Sequence, residues 1–313
     1  MNRTQFSESI VPGIKKWMDD EYKQFDKKYT KVANMFPSQK AYEEFINSTG
    51  LTTLPKKTES GEFTRLNPLQ GYKTRLTAET YGAEVPTSAE EIEDDLYNIA
   101  TIQNNAKKIG KAAARTEDKA FWSMFKNGFT AANTSYGDNK PAFSTAHPRK
   151  DGGTAQSNAS ATGALLTEPN LFVAETALVE VLDDMGEEID EDGKFLVIVP
   201  PALKKTCFEL LESDLKQGTA DNDTNYYYHG AMYDMMVVPY LGAYAGGSDT
   251  AWYVLRVGLH GFTYVTRVPF STTNYEEEKT GDVIVRGRER FSYGWTDWRG
   301  SWASKGDGNA YAG

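Results

Sequence analysis

Residues 88–126 read SAEEIEDDLYNIATIQNNAKKIGKAAARTEDKAFWSMFK, and the architecture turns on them. Ile92, Leu96, Ile99, Ala106, Ile109, Ala113, Ala120 and Met124 recur three, four or seven apart, the apolar stripe of an amphipathic helix. Ser88, with Glu91 three residues on, forms a capping box at its start. Glu90, Glu91, Glu93, Asp94 and Asp95 crowd the first turns, where the helix dipole favours negative charge; Lys126 and Gly128 supply the stop. At ~1.5 Å per residue an unbroken helix spans about 60 Å. That is long for a compact domain, so a break near Asp94 and Asp95 is the alternative.

The flanks differ in kind. Upstream, residues 51–86 are punctuated by Pro55, Gly61, Pro68, Gly71, Gly82 and Pro86. Residues 62–66 and 72–81 alternate with period two, so the stretch is expected to form a long two-stranded hairpin with little core of its own. Such a ribbon is marginal alone and needs a surface to lie on, its own domain or a neighbour. Residues 7–28 and 38–46 read as helical, with aromatic residues spaced among charges, fitting either an arm on a neighbour or a cap on the same domain. Downstream, residues 128–170 are rich in Gly, Ser, Thr, Asn and Pro, and are much longer than an ordinary connection. Such a length is expected to be either functional or disordered.

Residues 167–270 read as an α/β segment: a helix over 168–185, a buried strand FLVIV at 195–199, and a helix over 202–216 opened by Pro200-Pro201. A tyrosine-rich loop follows at 222–229, then strands at 235–238, 252–257 and 262–268. Residues 281–303 suggest two closing strands with a turn or bulge near Gly287, and 304–313 a frayed tail.

The bulk numbers exclude several classes. With 39% hydrophobic and 25% charged residues the composition is that of an ordinary folded protein, not a disordered one. The net charge of −10 argues against a dedicated nucleic-acid-binding module. Cys207 is the single cysteine, so no intrachain disulfide and no cysteine-rich zinc site can form. No apolar run approaches a membrane span, and the N-terminal stretch shows no secretory signal. His147, His229 and His260 lie far apart, in no metal-ligand spacing, and His147 sits in a turn context, S-T-A-H-P-R, that suits a structural imidazole. Cys207 has neither a base nor an activating neighbour in sequence. The cluster Asp190-Glu191-Asp192-Gly193 lacks the spacing of a calcium loop, and no phosphate-binding or nucleophile-elbow motif occurs. No catalytic, cofactor or metal site is therefore expected. What remains is architecture whose projections bury little within one monomer.

At this point the chain resembles a known family. TAETYGAEVPTSAEEIEDDLYN resembles the join of extended loop and spine helix in tailed-bacteriophage major capsid proteins, and KAAARTEDKAFWSMFKNGF the end of that helix. NKPAFSTAHPRKDGGTAQSN resembles the most distinctive signature of the Mu-like major head subunit group. FLVIVPPALKKTCFELLES resembles the strand-Pro-Pro-helix of the axial domain, and AWYVLRV with RGRERFSYGWTDWRGSWASKG the closing strands. The resemblance covers roughly residues 50–306 and implies an α+β fold of the Hong Kong 97 type. Its parts would be an N-terminal arm (1–50), an extended β-hairpin loop (51–86), a peripheral domain with the spine helix (87–166), an axial domain (167–270), and closing strands with a tail (271–313).

The function so implied is structural. The chain would be a major head subunit, not an enzyme, building hexamers and pentamers into a virion shell around packaged double-stranded DNA. It would assemble in the host cytoplasm with portal, scaffold and head-maturation proteins, and decoration proteins in some cases. Subunit contacts are expected from Lys56, Lys57, Phe63, Arg65, Leu69, Tyr72 and Arg75 of the loop. No cofactor and no membrane contact is implied. An encapsulin-type compartment subunit is the alternative; a hydrolase with an unrecognised site and a tail or decoration protein are weaker readings.

Overall fold

A computed structural model describes residues 3–50, 53–57, 59–66, 70–88, 100–130, 137–189, 193–215, 223–230 and 232–311. Helix α1 (Arg3–Gln24) leads to strands β1 (Asn34–Pro37) and β2 (Tyr42–Ser48). Strands β3 (Gln70–Thr77) and β4 (Glu79–Thr87) precede the long helix α2 (Ala100–Lys126). Helix α3 (Glu168–Val179), strand β5 (Phe195–Val199), helices α4 (Lys204–Leu211) and α5 (Tyr226–Gly230), and strands β6 (Tyr233–Val237) and β7 (Trp252–Arg256) follow. Strands β8 (Phe262–Glu276), β9 (Val283–Trp295) and β10 (Ser301–Ser304) close the chain. The capping box partner Glu91, the acidic first turns and the alternative break of the long helix lie outside the described residues.

Two units result, and each is discontinuous in sequence. The first gathers Met1–Glu43, Leu76–Phe121 and Tyr264–Tyr293; the second gathers Glu44–Arg75, Trp122–Thr263 and Gly294–Gly313. In the first, the strands take the order β1-β8-β9-β4, and β4 pairs antiparallel with β9 from Glu79 opposite Phe291 to Thr87 opposite Val283. The stripe of α2 does what its period requires: Ala106 and Ile109 are buried with Ile14 and Met18 of α1 and Val285 of β9. Gly110 belongs to the same seam, because a side chain there would meet the backbone oxygen of Met18. For residues 14–32, then, the described contacts lie within their own unit, with Tyr29 and Val32 also buried.

In the second unit the order is β10-β7-β5-β6, with β5 parallel to β6 and antiparallel to β7. All five residues of β5 are buried, as an uninterrupted apolar run demands of a central strand. Leu171, Ala174 and Leu178 of α3 and Cys207 and Leu211 of α4 share one core with Phe195, Val197, Val199, Trp252, Val254 and Trp302. Complete burial of Val197 or Val199 contributes about 2 kcal/mol each.

Several expectations change. Residues 42–48 form a strand, not a helix, because β2 has β3 as a pairing partner. The predicted pairing inside 51–86 does not occur: β3 pairs with β2 and β4 with β9, while the described residues 53–66 form no strand. The helix expected over 168–185 stops at Val179, and the one expected over 202–216 begins as a 3-10 turn and ends at Leu211. Residues 226–230 make a short helix where a loop was expected. Gly287 lies within an unbroken β9, and neither a turn nor a bulge explains it. A Cβ there would come within 2.8 Å of Ile109 and of Phe270, so this glycine lets helix and strand approach.

Candidate assembly surface

The extended loop hangs from the β2–β3 pair. Glu44 of β2 accepts from Lys73 at 2.6 Å and from Arg75 at 2.5 Å, so one carboxylate bridges two cations of β3. Those two cations hold its carboxyl below the usual range. At the end of β2, the Asn47 side-chain amide donates to the Thr296 carbonyl at 3.0 Å and to Asp297 at 3.1 Å. The Tyr72 hydroxyl donates to the Pro148 carbonyl at 3.2 Å, and the Lys150 ammonium sits 3.9 Å over the Tyr72 ring. Beyond this base the chain is exposed. Leu54 and Phe63 are 87% and 83% accessible, and Lys57 lies 4.9 Å over the Phe63 ring.

Of the seven residues singled out in the sequence, Lys56, Lys57, Phe63 and Arg65 are exposed in the 53–66 stretch. Tyr72 and Arg75 lie instead in β3, where they brace the loop's base. Leu69 lies outside the described residues.

The base rests on the Gly/Ser/Asn-rich segment, and this segment is not loose. His147 is fully buried; its Nδ1 is 2.6 Å from an Asp138 carboxylate oxygen and its Nε2 is 3.1 Å from the Asn158 side-chain oxygen. The same Asn158 oxygen accepts from the Ser144 backbone N–H at 2.8 Å, and its amide nitrogen donates to the Ala142 carbonyl at 2.8 Å. The imidazole stacks on Trp298 with centroids 4.4 Å apart and planes 3° from parallel. Next to it, Arg299 donates to Asp184 at 3.0 Å and to the Leu182 carbonyl at 2.9 Å. Residues 140–158 thus find hydrogen-bond partners within one chain.

Both nitrogens of His147 face oxygen atoms already engaged in structure. Cys207 is buried, and that burial pushes its thiol up to about 12, which keeps it protonated and unreactive. Burial pushes His260 down to about 4, so its imidazole stays neutral. Among the described residues no group of His, Cys, Asp and Glu could hold a metal ion, and no helix is long and apolar enough to cross a membrane.

With this geometry, comparison with known proteins becomes decisive. A family model described as "Phage capsid protein" matches residues 71–304, well over half of the chain. The chain belongs to that family. It is a phage capsid shell protein, a structural component of the virion, as the sequence resemblance implied. Solved structures of similar fold are capsid or particle subunits at low identity. The capsid of a native GTA particle aligns with a TM-score of 0.57 at 13% identity, over 91% of this chain and 89% of that one. The mature capsid of bacteriophage PhiM1 aligns at 0.53 and 16%, over 87% and 85%. A virus-like particle from Pyrococcus furiosus aligns at 0.51 and 9%, over 95% and 99%. No curated protein matches the sequence significantly. The mixed α+β architecture of this capsid protein is thus that of phage capsids.

The pieces that sequence reasoning missed are Asn158 and Trp298. Asn158 lies in the signature stretch and Trp298 in the closing one, but nothing in their local patterns announces a shared buried site. A lone buried His in a chain segment without periodicity was the available clue.

Proposed function

We propose that this capsid protein is the major head subunit of a tailed phage of the Mu-like group, assembling into hexamers and pentamers around packaged double-stranded DNA. The observation that carries the reading is the loop 53–66. It projects apolar side chains, Leu54 and Phe63, from a base held by ion pairs and side-chain hydrogen bonds. A folded monomer gains nothing from presenting them to water. A neighbouring subunit would cover them, with Lys56, Lys57 and Arg65 as rim charges that set register more than affinity. Leu69 belongs to the same contact set, while Tyr72 and Arg75 hold the loop in place. On this reading residues 1–50 form an arm, 51–86 the loop, 87–166 and 271–313 the peripheral domain and 167–270 the axial domain. Portal, scaffold and maturation proteins act with the subunit in the host cytoplasm.

The test is particle formation by the full chain, alone and with its scaffold, followed by mass photometry and negative-stain microscopy. Closed shells, tubes or capsomer rings are expected. A persistent monomer with scaffold present would overturn the reading. Shells filled with cargo enzyme in their native cell, in place of DNA, would move it to the compartment class.

A further inference from the structure

The long helix is electrically two-sided. Its 27 residues carry six cations, Lys107, Lys108, Lys111, Arg115, Lys119 and Lys126, and two carboxylates, Glu117 and Asp118. Both carboxylates point inward. Glu117 is buried, accepts the Tyr22 hydroxyl at 2.7 Å and the Tyr29 hydroxyl at 3.1 Å, and pairs with Lys27 at 2.7 Å. Asp118 is buried and accepts the Tyr29 backbone N–H at 2.9 Å. With its acids consumed inside, the helix shows only positive charge outside.

Lys108, Lys111, Arg115 and Lys119 are exposed, and at about 100° per residue they fall within an arc of about 80°. They form a rail on the face opposite Ala106, Ile109, Gly110, Ala114 and Phe121. The rail extends ~16 Å along the axis. None of the four is in an ion pair among the described residues. Lys107, Lys108 and Lys111 also line a cavity of about 230 Å³ with Asn104 and a single carboxylate, Glu21.

We propose that this rail contacts the phosphate backbone of packaged duplex DNA without reading sequence. The inference rests on the shell reading, which puts a genome against the subunits. Three observations favour DNA over an acidic protein. Between residues 103 and 126 the only exposed residues besides the four cations are Asn104 and Ala112, so the helix itself presents no large apolar side chain of the kind that centres protein–protein contacts. Regularly spaced flexible cations with no base-reading companions suit counterion release at phosphates. The whole chain carries a net charge of −10 although this helix has six cations against two carboxylates, so DNA meets repulsion elsewhere and attraction on this element. Local positive charge on an acidic subunit holds a genome loosely enough to release it.

The test is fluorescence anisotropy of a short duplex with the full chain across a salt series, beside the quadruple variant Lys108→Gln, Lys111→Gln, Arg115→Gln and Lys119→Gln. The wild type is expected to show a log K against log[salt] slope of about −3 to −4, as four phosphate contacts require. The variant is expected to lose nearly all of that slope and about 100-fold in affinity at low salt. Its circular dichroism and particle assembly should match wild type, since the four side chains are exposed. A control pair in the second unit, Lys204→Gln with Lys205→Gln, should leave binding unchanged. Equal binding by variant and wild type would overturn the proposal, as would an equal loss in the control pair. So would poly-glutamate binding that needs the rail when duplex binding does not, which would assign the rail to an acidic protein. Failure of the shell reading shows separately, as absence of particles from both chains with scaffold present.

Discussion

The two turn-rich stretches of this chain are alike in composition and opposite in structure. Residues 53–66 and 137–166 are both short of regular elements and rich in Gly, Pro, Ser, Thr or Asn. The first exposes Leu54 and Phe63; the second encloses His147, Asn158 and Ser144 with almost no solvent contact. Composition reports that a segment will not form a helix or ladder. It does not report where the polar groups go. In the second stretch the burial of a His, an Asn and an Asp is tolerated because each meets a partner of opposite hydrogen-bonding character. In the first, the polar groups stay in water and the apolar ones are left uncovered. One stretch is internal scaffolding and the other is outward-facing surface.

The largest expected effect breaks this comparison from the loop side. Replacing residues 53–66 with a short Gly/Ser linker should abolish closed particles while leaving the thermal midpoint of the subunit unchanged. Normal particles from that chain would remove the loop from the assembly surface. The replacement stops before β3, because Gln70–Thr77 pairs with β2. From the other side, His147→Ala takes the imidazole partner from the buried Asp138 Oδ2, leaving only the Lys140 N–H on Oδ1, and opens a cavity against Trp298. It should cost about 3 kcal/mol in urea unfolding. A loss below about 1 kcal/mol would show that the segment is loosely held after all.

A third prediction sharpens the contrast between satisfied and unsatisfied buried polar groups. Glu289 of β9 is buried, its Oε2 has no hydrogen-bond partner among the described residues, and burial with the nearby Glu117 carboxylate pushes it up to about 8. Between its unfolded value near 4.5 and about 8 the native state keeps a proton that the unfolded chain has lost. Stability should therefore rise as pH falls through that window. Glu289→Gln should flatten the rise and stabilise the chain by several degrees at pH 9, with little effect at pH 5. An unchanged pH profile of the thermal midpoint would refute it. The smallest effect concerns the loop's base. Glu44→Gln removes two exposed ion pairs, so the midpoint should not move measurably, but particle yield should fall as the loop loses its aim.

The legible parts of the fold were those carried by period or by an unbroken apolar run. Ala106, Ile109 and Met124 of the stripe are buried along α2, and FLVIV specifies β5 to the residue. The start of α3 at Glu168 was legible, but the end predicted from Val181 and Leu182 was late, because the Leu182 N–H donates to the Gln156 side-chain oxygen at 2.7 Å and not to the Leu178 carbonyl. Strand partners were the illegible part. Alternation in 72–81 announces a strand but cannot say that its neighbour is Tyr42–Ser48 and not 62–66. Pairing is decided by cross-strand contacts such as Glu44 with Lys73, which are remote in sequence. The buried polar site was half legible. The turn context of His147 pointed to a structural imidazole, yet its partners Asp138, Asn158 and Trp298 are a set that only the three-dimensional structure assembles.

The pairing of β4 with β9 has a consequence for synthesis. Residues 79–87 wait for residues 283–291 before they have a strand partner, so most of the chain must leave the ribosome first. A chain terminated before Val283 lacks β9 and cannot complete the first unit. The late strand makes translation through residue 291 a condition for pairing β4, so a chain cut short before that point reaches its neighbours with this sheet incomplete.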